Sequence, residues 1–230
     1  MLIDRALVLR ALDIISVSDI SQIVITKDGN VCHPSPDRTV IVYGNTRLKL
    51  DEDWALPDIG LFAGMLKAFV SANIDLVRSR NSFSMVGDGI NWRYRLGSKE
   101  VLQVIQPEVV EDLLESLEPA ISVSIDALKK IAGIQSTIRA AYIHFISKDG
   151  RLFCQVGEAD TYSGTIDLET NPKNDFDIKI PASRFVEIVG KVDSPSVSIS
   201  FGLEGRKVIR IALSEFSWII GALKEVNNGS

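Results

Sequence analysis

Two cysteines and two histidines are all that 230 residues contain of either type. Cys32, Cys154, His33 and His144 are too scattered to make the Cys/His spacing of a zinc site, so no metal centre is expected. The cysteines fall at equivalent places in an internal repeat, which predicts two separate buried thiols rather than a disulfide. Neither histidine stands beside an activating serine motif and no G-x-S-x-G occurs, so no nucleophilic triad is expected. Gly87-Asp88-Gly89 is too short for a dinucleotide fingerprint and reads as a hairpin turn. No apolar run approaches the length of a membrane-spanning helix, and charges interrupt Met1–Arg10, so neither a membrane span nor a signal peptide is predicted. The expectation is a soluble cytoplasmic protein with no cofactor and no catalysis. Basic residues are also in deficit: 25 against 30 acids, net −5, which argues against nucleic acid binding all over the surface but leaves room for a basic patch.

What is present is order. Residues 23–32 read IVITKDGNVC and residues 144–154 read HFISKDGRLFC, so that Lys27-Asp28-Gly29 recurs at Lys148-Asp149-Gly150. Each copy follows an amphipathic helix opening on an acid, Asp4 or Asp126, and precedes two strand-like runs and a proline-led helix, Pro57–Val70 or Pro181–Val192. A hairpin pair closes each half: Ile74–Tyr94 with its Gly-Asp-Gly turn, and Val197–Trp218 with Glu204-Gly205. Agreement over the whole order of elements implies a duplicated unit of roughly 110 residues, long enough to bury a core of its own. Between the halves lies QPEVVEDLLESLEP, residues 106–119, with five carboxylates, no base and a proline near each end. Proline removes a donor and extends its predecessor, so this stretch reads as a connector. Val109, Val110, Leu113, Leu114 and Leu117 would share one side if it turned helically. A surface strap with one apolar edge is the reading, and a core helix the alternative. The expected domains are 1–105 and 120–230.

Hydrophobic periodicity places a helix over Asp4–Ile15, a strand over Ile20–Thr26 and a short one near Val31. The loop His33–Asp37 should end that ladder, and Gly44-Asn45 should join strands Arg38–Tyr43 and Thr46–Leu50 in a hairpin. Asp51, Glu52 and Asp53 read as a solvated loop, with a divalent ion as the lesser alternative. Helix two, Asp58–Val70, should bury Leu61, Phe62, Met65, Leu66 and Phe69; three strands follow, at Ile74–Ser79, Ser82–Val86 and Ile90–Leu96, with a further one over Val101–Ile105. In the second half the expectation is strand Ile121–Ser124, helix Asp126–Gln135, strands Tyr142–Ser147, Leu152–Val156, Tyr162–Leu168 and Asp175–Ile180, a helix after Pro181, then strands Ser196–Phe201, Arg206–Leu213 and Glu215–Ala222. Hairpin neighbours and two helices per repeat mean an α+β fold with antiparallel sheets.

Charge is unevenly distributed over that plan. Apart from helix-opening acids, the helices offer Arg5, Arg10, Lys67, Lys129, Lys130, Arg184 and Lys191, against only Asp13 and Glu187. The helices are basic on an acidic body.

This repeated order around an acidic connector resembles the DNA sliding clamps. LPDIGLFAGMLKAF (56–69), IDLVRSRNSFSMVGDGINWRYRL (74–96) and ISVSIDALKKIAGI (121–134) are similar to the corresponding stretches of the trimeric clamps of T-even-type phages. The resemblance implies two tandem copies of the clamp fold, a head-to-tail homotrimer with helices lining the hole, and the seven bases above facing duplex DNA without reading its sequence. It implies a DNA polymerase as partner, tethered for processive synthesis, and an ATP-dependent clamp loader that opens the ring. It also implies a pocket for a partner peptide beside the connector, to which Val40, Val42, Val110, Leu113, Leu114, Ile220 and Leu223 would contribute. The polar tail lacks the extended acidic end of some relatives. Two readings compete: a structural assembly protein of duplicated α+β domains, and a small-molecule enzyme.

Overall fold

A computed structural model describes residues 1–102, 105–157, 162–203 and 207–222. The chain divides into two compact units, Met1–Val110 and Glu111–Ser230. The division falls inside a helix, α3 (Pro107–Glu115), so the expected strap is helical over most of its length.

In the first unit β1 (Leu2–Asp4) leads into α1 (Arg5–Ile15), β2 (Ile23–Ile25), β3 (Asn30–Pro34), β4 (Val40–Asn45) and β5 (Trp54–Leu56). After α2 (Ile59–Lys67) come β6 (Asn73–Ser79), β7 (Ser82–Gly87) and β8 (Ile90–Arg95). The pairing is antiparallel: β1-β6-β7-β8 in one sheet, with β3 on β4 and β2 on β5. The second unit runs β9 (Ile121–Ser124), α4 (Ile125–Ile138), β10 (Tyr142–Lys148), β11 (Arg151–Gly157), β12 (Ser163–Asp167), β13 (Phe176–Pro181), α5 (Ala182–Lys191), β14 (Ser196–Gly202), β15 (Val208–Ala212) and β16 (Phe216–Gly221). Its strands pair as β12-β11-β10-β13 and as β9-β14-β15-β16. The series β1-β6-β7-β8 and β9-β14-β15-β16 are the same order met twice, as are β2-β5 with β3-β4 and β10-β13 with β11-β12. The duplication read from the sequence is therefore present in the topology.

Each unit has its own aromatic core. In the first, Trp54 lies edge-on to Phe62 and Phe83 at centroid separations of 6.0 and 5.0 Å, and Phe62 to Tyr94 at 4.9 Å. In the second, Phe145 meets Phe185 and Phe201 at 5.8 and 6.0 Å. Burying such a ring contributes on the order of 2 kcal/mol, so each cluster is enough to seat its helices on its sheets. Asp4 caps α1 by accepting from Leu7 N at 3.0 Å, and Asp58 caps α2 by accepting from Leu61 N at 2.8 Å. The Tyr94 hydroxyl donates to Asp58 O at 2.8 Å, tying the start of α2 to β8, and burial pushes its phenol up to about 12. At the other end of α2, Asp88 in the β7–β8 turn accepts from Val70 N and Ser71 N at 2.6 and 2.8 Å.

Several local expectations are overturned. Gly44-Asn45 is not a hairpin turn: β4 runs through both residues, pairing Gly44 with Val31 and Asn45 with Asn30, and 46–50 forms no strand. The Asn45 amide instead closes the end of the ladder, donating to Asp28 O at 2.9 Å and Asn30 Oδ1 at 2.7 Å. His33–Asp37 does not end the β3 ladder at its start; His33 pairs with Val42 and Pro34 with Ile41. The turn lies beyond, where Ser35 N donates to Val40 O at 2.7 Å and Arg38 takes φ 57°. Leu61 is 53% exposed, because α2 buries the stripe Ile59, Phe62, Leu66 and leaves Leu61 beside it. Helix α4 reaches Ile138 rather than Gln135, and it begins at Ile125 with Ser124 as its N-cap, two residues before the predicted opening acid Asp126. Within Val101–Ile105 no strand forms over the described residues, and residues 103–104 lie outside them. The turn at Glu204-Gly205 also lies outside the described residues. Cys32 and Cys154 are both buried, and neither forms a disulfide.

Candidate nucleic-acid interface

Within each unit the two long helices pack on each other, α1 with α2 and α4 with α5, and each turns its apolar stripe to the sheets. The outer faces are therefore set by what the sequence places off-stripe. On α4 the stripe is Ile125, Leu128 and Ile131, and the opposite face carries Lys129, Lys130, Gly133, Ser136 and Thr137. The Ser136 and Thr137 hydroxyls turn back onto Ala132 O and Gly133 O at 3.0 and 2.9 Å, so nothing bulky rises from that end of the face. On α2 the exposed residues include Gly60, Gly64 and Lys67, and a side chain added at Gly64 would meet nothing within 4 Å. Glycine inside a helix costs about 1 kcal/mol against alanine, so α2 carries Gly64 without any packing need for it.

The predicted bases divide into two groups. Arg10, Lys67, Lys129 and Lys130 are exposed. Lys67 and Lys191 sit in the last turns of α2 and α5, where a positive charge complements the helix dipole. Arg5, Arg184 and Lys191 are half-buried. Arg5 is held in the body of its unit: Nη1 donates to Phe69 O at 2.7 Å, bridging the start of α1 to the exit of α2. The acids Asp13 and Glu187, the only two weighed against these bases, stand on α1 and α5. The sequence reading missed Arg139, exposed at the C-cap of α4 with φ 54°, because it ended that helix too early. It also missed the small residues interleaved with the bases, which their three- and four-residue spacing, Gly60 to Gly64 and Gly133 to Ser136 and Thr137, could have shown.

The other predicted set behaves differently. Val40 and Val42 on β4 and Ile220 on β16 are fully buried, and Val110 on α3 is 1% exposed. Leu113 and Leu114 are half-buried on α3, while Val109 on the same helix is 58% exposed. Leu223 lies outside the described residues. His33, read as a loop residue, is buried in β3, with Nδ1 3.0 Å from Pro34 O; burial holds its pKa below the usual imidazole value. The acidic loop is engaged: Asp53 accepts from Lys27 N at 2.9 Å and pairs with Lys99 at 3.2 Å, and Glu52 pairs with Arg78. Among the described residues no cluster of three or more His, Cys, Asp or Glu side chains is arranged to hold a metal ion, and no helix is long and apolar enough to cross a membrane.

Neither a family model nor a curated protein matches the sequence. Solved structures do match. The PCNA2–PCNA3 complex of Sulfolobus tokodaii superposes with TM-score 0.69 at 17% identity over 96% of this chain and 99% of that one. PCNA of Thermococcus kodakaraensis gives TM-score 0.67 at 16% identity, covering 97% of this chain and 99% of its own. The DNA polymerase III beta chain of Streptococcus pneumoniae gives 0.74 at 12% identity over 97% of this chain but 64% of its own length. Archaeal and bacterial clamps thus share the arrangement seen here, at identities where only the fold is compared. Two tandem α+β units, each with two long helices on antiparallel sheets, give this chain the fold of the DNA sliding clamps.

Proposed function

We propose that this chain is a DNA sliding clamp: a homotrimeric ring that encircles duplex DNA and tethers a replicative polymerase. The observation that carries the proposal is the solvent-open set Arg10, Lys67, Lys129 and Lys130, on helices of a duplicated clamp fold in a chain of net charge −5. Bases interleaved with small residues attract phosphates without reading base edges, which is what sliding requires. An acidic remainder disfavours DNA elsewhere. Full-length coverage of the archaeal chains, against 64% of the bacterial one, supports three copies of a two-domain chain. Within that reading β8 and β12, each last in its own sheet, are the edges that pair between copies. The apolar residues of α3, with Leu113 and Leu114 the least covered of the described members of the predicted pocket set, receive the anchor side chains of a partner peptide, and acids Glu111, Asp112 and Glu115 favour basic flanks on it. An ATP-dependent loader opens the ring; the chain itself hydrolyses nothing and acts by raising the polymerase's effective concentration at its template. Residues 1–105, 106–119 and 120–230 are assigned as first domain, connector and second domain. The T-even-type phage organisation, and location in the cytoplasm, belong to the same proposal.

The test is topological. Chain loaded on nicked circular DNA should be retained through gel filtration and lost when the circle is cut once. Equal retention on circular and linear DNA would mean ordinary binding and would sink the ring.

A further inference from the structure

The sheet β1-β6-β7-β8 has one side in the core of the first unit and one in water. On the core side Phe83 and Tyr94 meet Phe62 of α2, so the other side points away from that helix and its Lys67. Cross-strand register lays out this solvent side. Val77, Ser84 and Arg93 stand in one row, and Ser79, Ser82 and Arg95 in the next. Leu2 and Val86 stand in the row before, on either side of Asp75.

Two features mark this surface. It is apolar at its centre, where Leu2, Val77 and Val86 are 69, 52 and 43% exposed. Val77 and Val86 are diagonal neighbours on β6 and β7, within roughly 8 Å of each other, so they form one patch. It is basic at one end. Arg93 and Arg95 are exposed alternate residues of β8, about 7 Å apart. Arg80 is exposed in the β6–β7 turn, which Leu96 N ties to the end of β8 by donating to Asn81 O at 2.9 Å. Among the described residues no carboxylate pairs with Arg80, Arg93 or Arg95, whereas nearby Arg78 and Lys99 are paired with Glu52 and Asp53. Arg93 Nε donates to Ser82 Oγ at 3.1 Å, which holds that guanidinium over the sheet. Asp75, the acid within the apolar rows, takes the Met1 ammonium at 3.4 Å.

The duplication shows that the fold does not require such exposure. The helix-capping residues Asp4 and Ser124 pair with Asn73 and Ser196, so Val77 and Ser200 are equivalent, each four residues further on. The row Val77–Ser84–Arg93 thus corresponds to Ser200–Arg210–Ile219. Ser200 and Ile219 are buried within the chain and Arg210 is half-buried, while Val77 and Arg93 are open. Bare guanidinium groups select carboxylates, and exposed valines select apolar side chains. A nucleic acid strand would use the first and gain nothing from the second. It would also find no aromatic ring to stack on, since Phe83 and Tyr94 are on the core side.

We infer that the solvent side of β6-β7-β8 is a docking surface for an acidic amphipathic helix of another protein, with apolar side chains over Leu2, Val77 and Val86 and carboxylates on Arg80, Arg93 and Arg95. This goes beyond the ring proposed above and holds for a single chain. It also gives the chain two surfaces of opposite preference, since the acids of α3 favour basic flanks.

The experiment is fluorescence anisotropy of a labelled helical peptide of roughly 15 residues, with leucines on one stripe and glutamates on both flanks, titrated with full-length chain. Wild type should bind it saturably with a Kd below about 0.1 mM at about 0.05 M salt, and at least tenfold more weakly at about 0.5 M. The same peptide with lysine for glutamate, or serine for leucine, should bind at least tenfold more weakly. Arg80→Glu with Val77→Ser, both off the β8 edge, should cost at least tenfold. Arg80→Glu with Arg93→Glu should lose the glutamate peptide and gain the lysine one, a reversal that misfolding cannot produce. Native mass, read alongside, reports on the ring separately. Failure of the glutamate peptide to saturate by about 1 mM would overturn the inference. So would equal affinity for wild type and Arg80→Glu with Val77→Ser. Oligo-dT or duplex DNA that binds more tightly than the peptide, and is lost with Arg80→Glu and Arg93→Glu, would overturn it in favour of a nucleic-acid surface.

Discussion

Arg5 and Arg10 share α1 and meet opposite fates. Arg5 is half-buried and its guanidinium donates to Phe69 O, whereas Arg10 is exposed. Hydrogen bonds to charged groups are worth about 1.5–3 kcal/mol when buried, and partial exposure discounts this one. Arg5→Met should therefore lower stability by about 1 kcal/mol in urea titrations. Arg10→Ala should leave stability within about 0.5 kcal/mol and lower the salt slope of DNA retention by about one. Reversing Lys129 and Lys130 to Glu should impair loading and processive synthesis at near-constant stability, with Lys67→Glu acting more weakly. Unchanged processivity at physiological salt would exclude those lysines. His33 supplies a pH dependence of known sign. Its folded pKa lies below the unfolded value of 6.5 because burial disfavours the imidazolium. Above that pH neither state binds the proton, so this site adds no slope. As pH falls below about 6.5 the unfolded chain binds a proton that the folded one refuses, and stability drops until the folded pKa is reached. Urea midpoints at pH 7.5 and 5.5 should separate in wild type and converge in His33→Gln; equal separation in both would assign the slope elsewhere.

At the scale of elements, the repeated Lys-Asp-Gly turns show how a shared motif is put to different use. Gly29 has φ 84°, and a Cβ there would come 2.6 Å from Leu48 O; Gly150 has φ 73° with open space around it. Left-handed backbone alone costs a non-glycine residue about 1 kcal/mol or more. Gly150→Ala should cost about that, and Gly29→Ala clearly more, since Leu48 O is backbone and cannot swing aside. Equal melting shifts would show that the 46–50 segment yields easily. Helix α3 is the element on which partner binding is proposed to turn. Leu113→Ser with Leu114→Ser should leave assembly intact and weaken the polymerase's binding peptide at least about tenfold, roughly 1.4 kcal/mol, by titration. Equal affinities would move the peptide site away from α3.

For the whole molecule the expectation is one of mass and topology. The native particle should weigh three chains of 25.3 kDa, on DNA or free of it, and should slide from linear ends while staying on circles. A particle of two or four chains would keep the fold and reject the trimer.

What the sequence by itself determined is what short-range chemistry controls. The opening acid Asp4 placed the start of α1, Pro57 and Pro181 placed those of α2 and α5, and alternation placed the meander β6-β7-β8; repetition of this order revealed the duplication. Tertiary structure decided which strand pairs with which. Gly44-Asn45 has the composition of a hairpin turn, but β4 had a better partner in β3, and Asn45 closed that ladder instead. It also decided which side of a helix is covered. Leu61 is as apolar as Phe62, but α2 has room against the core for only one stripe. Arg5 looks in sequence like any other helical base, and only the carbonyl of Phe69, sixty-four residues away, shows that it holds two helices together. Local turn chemistry and periodicity act over a few residues, whereas pairing and burial depend on groups brought together from far along the chain.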